Sequence, residues 1–181
     1  MKVYHVISDR PLKAGDVIRF DESNRSGVYQ RVMALADTAA DVLAHPEKYE
    51  LPLEHHLDVA IRELAMEQVR REKFPQYPSR MACLYASSEP EPARQWAAYF
   101  ARIGRPTYAV AELEVNGRCF IGDALNCFAG TPDQADNLAR AERYWRNEPN
   151  EDGHDPIREM LVDGEIRVVR IIEEINANIP T

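Results

Sequence analysis

Three side chains far apart in the chain, His5, Tyr85 and Glu159, are of types that could serve one piece of chemistry. Glu159 opens the run 156–172, which reads as a β-hairpin. Its turn is Asp163-Gly164, a strong two-residue signal because a type I′ turn needs positive φ at both central positions. Met160-Leu161-Val162 precedes the turn, and the β-branched run 166–172 follows it. Glu159 therefore stands where a strand begins, with its head group able to enter a cleft. His5 lies in an alternating strand over 3–8, and Tyr85 near the end of a buried strand expected over 80–86. An imidazole can donate a hydrogen bond, a phenol can hold a flat ring, and a carboxylate can stabilise positive charge. Each also has a structural reading: a strand histidine satisfied locally, a tyrosine packed on the core, a solvated strand-end carboxylate.

The elements that must position these groups are legible in outline. After the first strand, 12–18 reads as a turn leading into an extended piece. From 27 to about 73 the pattern is helical: Val28, Val32 and Leu35 share a spacing, Asp41 to Leu43 precede a break at His45-Pro46, and a long helix follows over 53–73. Leu57, Ile61, Leu64 and Gln68 would form its buried stripe, with Glu63, Arg70 and Arg71 in solvent. Pro75 and Pro78 end it. Ser88 and Glu91 suggest a capping box for the next helix, with Pro90 in its first turn. That helix would carry Ala93, Trp96, Ala97 and Phe100 inward and stop at Gly104. Residues 107–115 alternate as a strand, Asn116-Gly117 is a second hairpin turn, 118–121 return, and 131–146 form a helix. The order predicts one α+β domain over 1–181, with mainly antiparallel pairing and a helical insertion at about 27–78.

Composition narrows the setting. A net charge of −8 speaks against a broad nucleic-acid footprint, which needs a basic face. The basic residues Arg62, Arg70, Arg71 and Lys73 are interleaved with Glu63, Glu67 and Glu72, the pattern of a solvated helix face. Three cysteines, Cys83, Cys119 and Cys127, make no CxxC pair and suit a reducing cytoplasm. No apolar run approaches a membrane span, so no membrane partner is expected. Glu54, His55, His56 and Asp58 make a poor metal site, because adjacent helical residues point about 100° apart. No phosphate loop, GxGxxG or GxSxG is present.

The ordered set His5, Tyr85, Glu159 resembles ADP-ribosyltransferases of the His-Tyr-Glu type. Glu159-Met160-Leu161-Val162, with 168–172 beyond it, is similar to the strand pair bearing the catalytic glutamate of poly(ADP-ribose) polymerases. Tyr4-His5 with 12–18, then Leu84-Tyr85-Ala86-Ser87, Glu91-Pro92-Ala93 and Trp96-Ala97, resembles the rifamycin ADP-ribosyltransferases. The whole chain also resembles a bacterial domain family of unassigned function. The resemblance to the transferases covers about two-thirds of the chain, and the block 27–78 has no counterpart in the small rifamycin enzymes.

What the resemblance implies is a split, two-sheet core that consumes NAD as a co-substrate and acts as a glycosyltransferase. His5 and Tyr85 would hold the NAD, with Ser8 and Ser87 as further contacts, and Glu159 would stabilise the ribosyl cation. The chain departs from the rifamycin enzymes after the histidine, where Val6 and Ile7 replace glycine and threonine and Ser8 follows one place later. Those enzymes take their acid after a middle strand, and Phe120-Ile121-Gly122-Asp123 matches that position, so Asp123 competes with Glu159 as catalytic residue. Cleavage of the nicotinamide–ribose bond builds an oxocarbenium-like charge that one carboxylate can stabilise. Nicotinamide is a good leaving group, so no metal is required. The helix after Ser87-Ser88 could aim N–H groups at the pyrophosphate. The acceptor stays open among a small molecule, a protein and a nucleic acid. The alternative is a non-catalytic module that binds NAD, ADP-ribose or a protein.

Overall fold

The computed structural model describes residues 1–8, 10–20, 24–35, 37, 41, 44–48 and 53–175. Among them are four helices and two antiparallel sheets, an α+β fold. The strands are β1 (Lys2–Ile7), β2 (Val17–Ile18), β3 (Leu84–Ala86), β4 (Ala109–Asn116), β5 (Cys119–Asp123), β6 (Arg158–Val162) and β7 (Glu165–Glu174). The helices are α1 (Gly27–Met33), α2 (Leu53–Lys73), α3 (Pro90–Arg102) and α4 (Gln134–Arg146). Leu43, at the expected break before His45-Pro46, lies outside the described residues. The chain divides into two compact units. One comprises Met1–Phe20, Leu84–Phe120 and Glu159–Thr181, and the other Asp21–Cys83 and Ile121–Arg158.

The first unit holds a four-stranded sheet, β1-β4-β7-β2. Period-two alternation in β1 sends Val3 and Ile7 to one face, where they join Leu113, Ile166, Val168 and Val162 in the main core. Val6 and Val110 point to the other face and meet Ala93 and Ala97 of α3. Those two alanines let the helix sit close on the sheet. Trp96 is one residue, about 100°, away from Ala97 and remains 37% exposed, where an inward position was expected. The cap also differs from the expected Ser88 box. Glu89 is the N-cap without a side-chain hydrogen bond, and Pro90 supplies a preset φ at the start.

Neither expected hairpin is a hairpin. Strand β4 pairs with β1 and β7, while β5 belongs to a three-stranded sheet of order β3-β6-β5. Likewise β6 pairs with β3, and β7 with β4 and β2. Asn116-Gly117 and Asp163-Gly164 are therefore corners at which the chain leaves one sheet for the other. Asp163 does not have positive φ, so its turn is not type I′, although Gly164 is left-handed at φ 91°. The corners lie against each other: a Cβ on Gly117 would sit 2.0 Å from the Asp163 carbonyl oxygen. Asp163 N–H donates to the Arg118 carbonyl at 3.2 Å, and the Arg118 guanidinium returns to the Asp163 carboxylate. Turn composition is local information, but strand partnership is not.

In the second unit α2 has the expected bounds and the opposite face. Leu57 is 41% and Leu64 55% exposed, and Gln68 is exposed, while Glu63 and Arg70 are buried with Ala60, Met66 and Val69. The reason is pairing. Glu63 accepts from Arg80 Nε at 2.8 Å and from Arg62 at 3.0 Å, and Arg80 donates to the Tyr144 hydroxyl at 2.6 Å. Arg70 donates twice to Glu67 at 2.9 Å and to the Tyr77 carbonyl. A charge so paired can be taken from water. Helix α4 packs on the same side through Trp145, whose Nε1 donates to the Met66 carbonyl at 2.8 Å. The strand expected over 80–86 is shorter than that span. Ser79 caps a 3-10 turn, Arg80–Ala82, and extended pairing begins at Leu84.

Candidate functional site

Tyr4-His5 and Tyr85-Ser87 come together within the first unit, and Glu159 lies on the strand that pairs with β3. Tyr4 and Ser87 exchange both backbone hydrogen bonds, at 2.9 and 2.8 Å, which ties β1 to the end of β3. Strand β3 then pairs with β6 in the register Tyr85↔Leu161 and Ala86↔Met160. Continued by one residue, the same register sets Glu159 opposite Ser87. Met160 and Val162 face the main core with Leu84, so alternation turns Tyr85, Ser87 and Glu159 to the other face of this sheet. Tyr85 and Glu159 are half-buried, and Ser87 is 9% exposed.

His5 is half-buried on β1, opposite Ala111 of β4. By alternation it lies on the main-core side with Val3 and Ile7, whereas Tyr85, Ser87 and Glu159 turn away from that core. Its Nδ1 lies 2.8 Å from the Tyr85 carbonyl oxygen. A carbonyl only accepts, so Nδ1 carries the proton. Eighty positions of sequence are closed by this one contact. Ser8, just beyond β1, is buried, and its hydroxyl accepts from Arg105 at 2.8 Å. The Arg105 guanidinium lies over the Phe100 ring at 4.4 Å, which fixes its orientation. Neither Arg105 nor its link to Ser8 was expected from sequence, since a surface arginine after a helix carries no local signal.

Asp123 belongs to the other unit. It ends β5, is 3% exposed, and spends its carboxylate on its own surroundings. Its Oδ1 accepts from the N–H groups of Leu125 and Ile157, each at 3.0 Å, and its Oδ2 accepts from Asn150 Nδ2 at 2.8 Å. Of the sequence candidates, His5, Ser8, Tyr85, Ser87 and Glu159 thus share one unit and Asp123 does not. Asn150 went unremarked in sequence, although Asn within a Pro-Asn-Glu-Asp-Gly run is an ordinary turn former.

On the outer face of the four-stranded sheet Glu112 is 4% exposed beside Tyr4, with Lys2 at 3.1 Å and Arg170 at 2.9 Å. Hydrogen bonds from Arg170 and Lys2 hold its carboxyl below the usual carboxylate range. Cys83, Cys119 and Cys127 form no disulfide with one another, and burial pushes the Cys119 thiol up. Among the described residues no helix is long and apolar enough to cross a membrane.

These features define an α+β protein with two antiparallel sheets, in which His5 on β1 is hydrogen-bonded to β3 and Glu159 lies on β6, the neighbour of β3. Residues 3–174 match the family described as "Protein of unknown function (DUF2441)", and the chain belongs to that family. No curated protein matches the sequence.

Proposed function

We propose that this chain is an NAD-dependent ADP-ribosyltransferase, which releases nicotinamide and passes ADP-ribose to an acceptor. The observation that supports it best is the junction of Tyr4-His5, Tyr85-Ser87 and Glu159. Three residue types in the required chain order sit on three adjoining strands, joined by the His5–Tyr85 hydrogen bond. The half-buried Glu159 and Tyr85 suit a cationic sugar and a flat ring respectively.

The step breaks the C1′–N bond of the nicotinamide riboside. Its electron pair goes to the ring nitrogen, which loses its positive charge, and positive charge builds on the ribose. The Glu159 carboxylate stabilises that charge, as in glycoside hydrolysis. An acceptor nucleophile then bonds C1′ and gives up its proton. Tyr85 holds the nicotinamide ring, and His5 hydrogen-bonds a ribose hydroxyl. Ser8 and Ser87 supply hydroxyls at the edges of the site.

The test is incubation of the purified chain with NAD, measuring nicotinamide with and without cell extract as acceptor source. Time-dependent release that rises with extract and is lost in Tyr85→Ala is expected. NAD bound in a calorimeter but never cleaved would mark a non-catalytic binding module. The absence of both binding and release would overturn the proposal.

A further inference from the structure

We infer that Asp123 is a positioning residue, which acts through Asn150 and the backbone of Ile157 to fix the strand that carries Glu159. The inference rests on the proposal that Glu159 is the charge-stabilising carboxylate. A carboxylate that serves a ribosyl cation must turn an oxygen toward the sugar. Asp123 turns both inward: one oxygen caps the 3-10 turn Ala124–Asn126 and holds Ile157 N–H, and the other holds Asn150. The Ile157 carbonyl in turn accepts from Ala124 N–H at 2.8 Å. Ile157 is therefore gripped by both its N–H and its C=O, one residue before β6 begins and two before Glu159.

Asn150 extends the grip over the preceding loop. Its Oδ1 accepts from His154 N–H at 3.0 Å, and its Nδ2 is shared between the His154 carbonyl at 2.9 Å and Asp123. This closes the loop 150–154, where Gly153 is left-handed at φ 65°. The approach to Glu159 is thereby set by a polar clamp whose two side chains are both buried.

The clamp has a direction that mutation can reverse. Asp123→Asn can still accept from Leu125 and Ile157, but its amide N–H₂ would face the N–H₂ of Asn150, donor against donor. Adding Asn150→Asp puts an acceptor opposite that N–H₂ again, while the His154 carbonyl loses its donor. The exchange keeps the total charge and moves the carboxylate to the other side of the hydrogen bond. The readouts are nicotinamide release, calorimetric NAD affinity, and amide hydrogen exchange over 157–162.

Asp123→Asn should lower kcat by up to about 100-fold with little change in NAD affinity, the scale of a small misplacement of a reacting group. It should also speed exchange over 157–162. The double exchange should recover part of both losses, the shortfall being the donor that the His154 carbonyl no longer has. A double variant that remains as inactive as Asp123→Asn, with exchange restored, would overturn the inference and put the Asp123 charge itself in the chemistry. Unaltered exchange in Asp123→Asn would overturn it whether or not the parent releases nicotinamide. A parent that never releases nicotinamide while exchange responds as expected would remove the functional proposal and leave the clamp.

Discussion

Replacing Glu63 with Gln tests whether a buried ion pair decides which face of α2 is inside. The Glu63 side chain is 1% exposed and that of Arg80 is 6%, so neither charge is eased by water. Glu63→Gln keeps the volume and one acceptor oxygen, but brings an N–H₂ against a guanidinium, that of Arg80 at Oε2 or those of Arg62 and Arg80 at Oε1. Arg80 retains the Tyr144 hydroxyl at 2.6 Å, which does not neutralise it. Breaking such a pair from one side costs about 3–5 kcal/mol, because a buried charge is left uncompensated. With about 2–4 °C per kcal/mol for a chain of this length, melting should fall by roughly 6–20 °C.

The loss should depend on pH in a defined sense. Burial raises the Glu63 pKa, but Arg80 and Arg62 more than reverse that, so the folded value lies below 4.5. Stability from this carboxylate is complete above its unfolded pKa and fades as pH falls toward the folded one. The gap between parent and variant should thus be widest near neutrality and narrow below about pH 4.5. Urea unfolding followed by far-UV circular dichroism, repeated across pH, measures both quantities. A loss under about 1 kcal/mol at neutral pH, or a gap that widens in acid, would refute the reasoning.

Two further outcomes follow from the geometry. Gly117→Ala should destabilise by about 1–3 kcal/mol in urea, as overpacking does, since the new Cβ meets the Asp163 carbonyl rather than a movable side chain. Leu64→Ala, at a position 55% exposed, should change urea stability by no more than about 0.5 kcal/mol, and a loss of core size would mean that this leucine is covered.

Much of the architecture was legible because it is written locally. Pro75 and Pro78 bound α2, β-branched alternation marked β1, β4 and β7, and the Asx-Gly pairs marked the corners. What failed depended on partners distant in sequence. The leucine stripe of α2 has a good helical period, but Arg80 and Tyr144, which draw Glu63 inward, come 17 or more positions later. Asn116-Gly117 and Asp163-Gly164 turn the chain without saying which strand awaits it. The run Met81-Ala82-Cys83-Leu84 is apolar throughout, so nothing in it reveals that Ser79 winds its first part into a 3-10 turn. Within the candidate site, the hydrogen bond from His5 to the Tyr85 carbonyl spans 80 positions and has no local signal in either strand. The burial of Asp123 between the side-chain amide of Asn150 and the N–H of Ile157, 27 and 34 positions away, could not be read from its motif.

The central claim is that Glu159 stabilises positive charge on the ribose of NAD. Glu159→Gln keeps the shape and removes the charge, so the decisive measurement is nicotinamide release by this variant beside its calorimetric NAD affinity. Losing one charge contact in a preorganised site costs about 2.7–4 kcal/mol, or roughly 100- to 1,000-fold in rate. NAD affinity should fall much less than the rate, because before cleavage the positive charge is spread over the nicotinamide ring and reaches the ribose only in the transition state. Near-normal turnover by Glu159→Gln in an active parent would contradict the account.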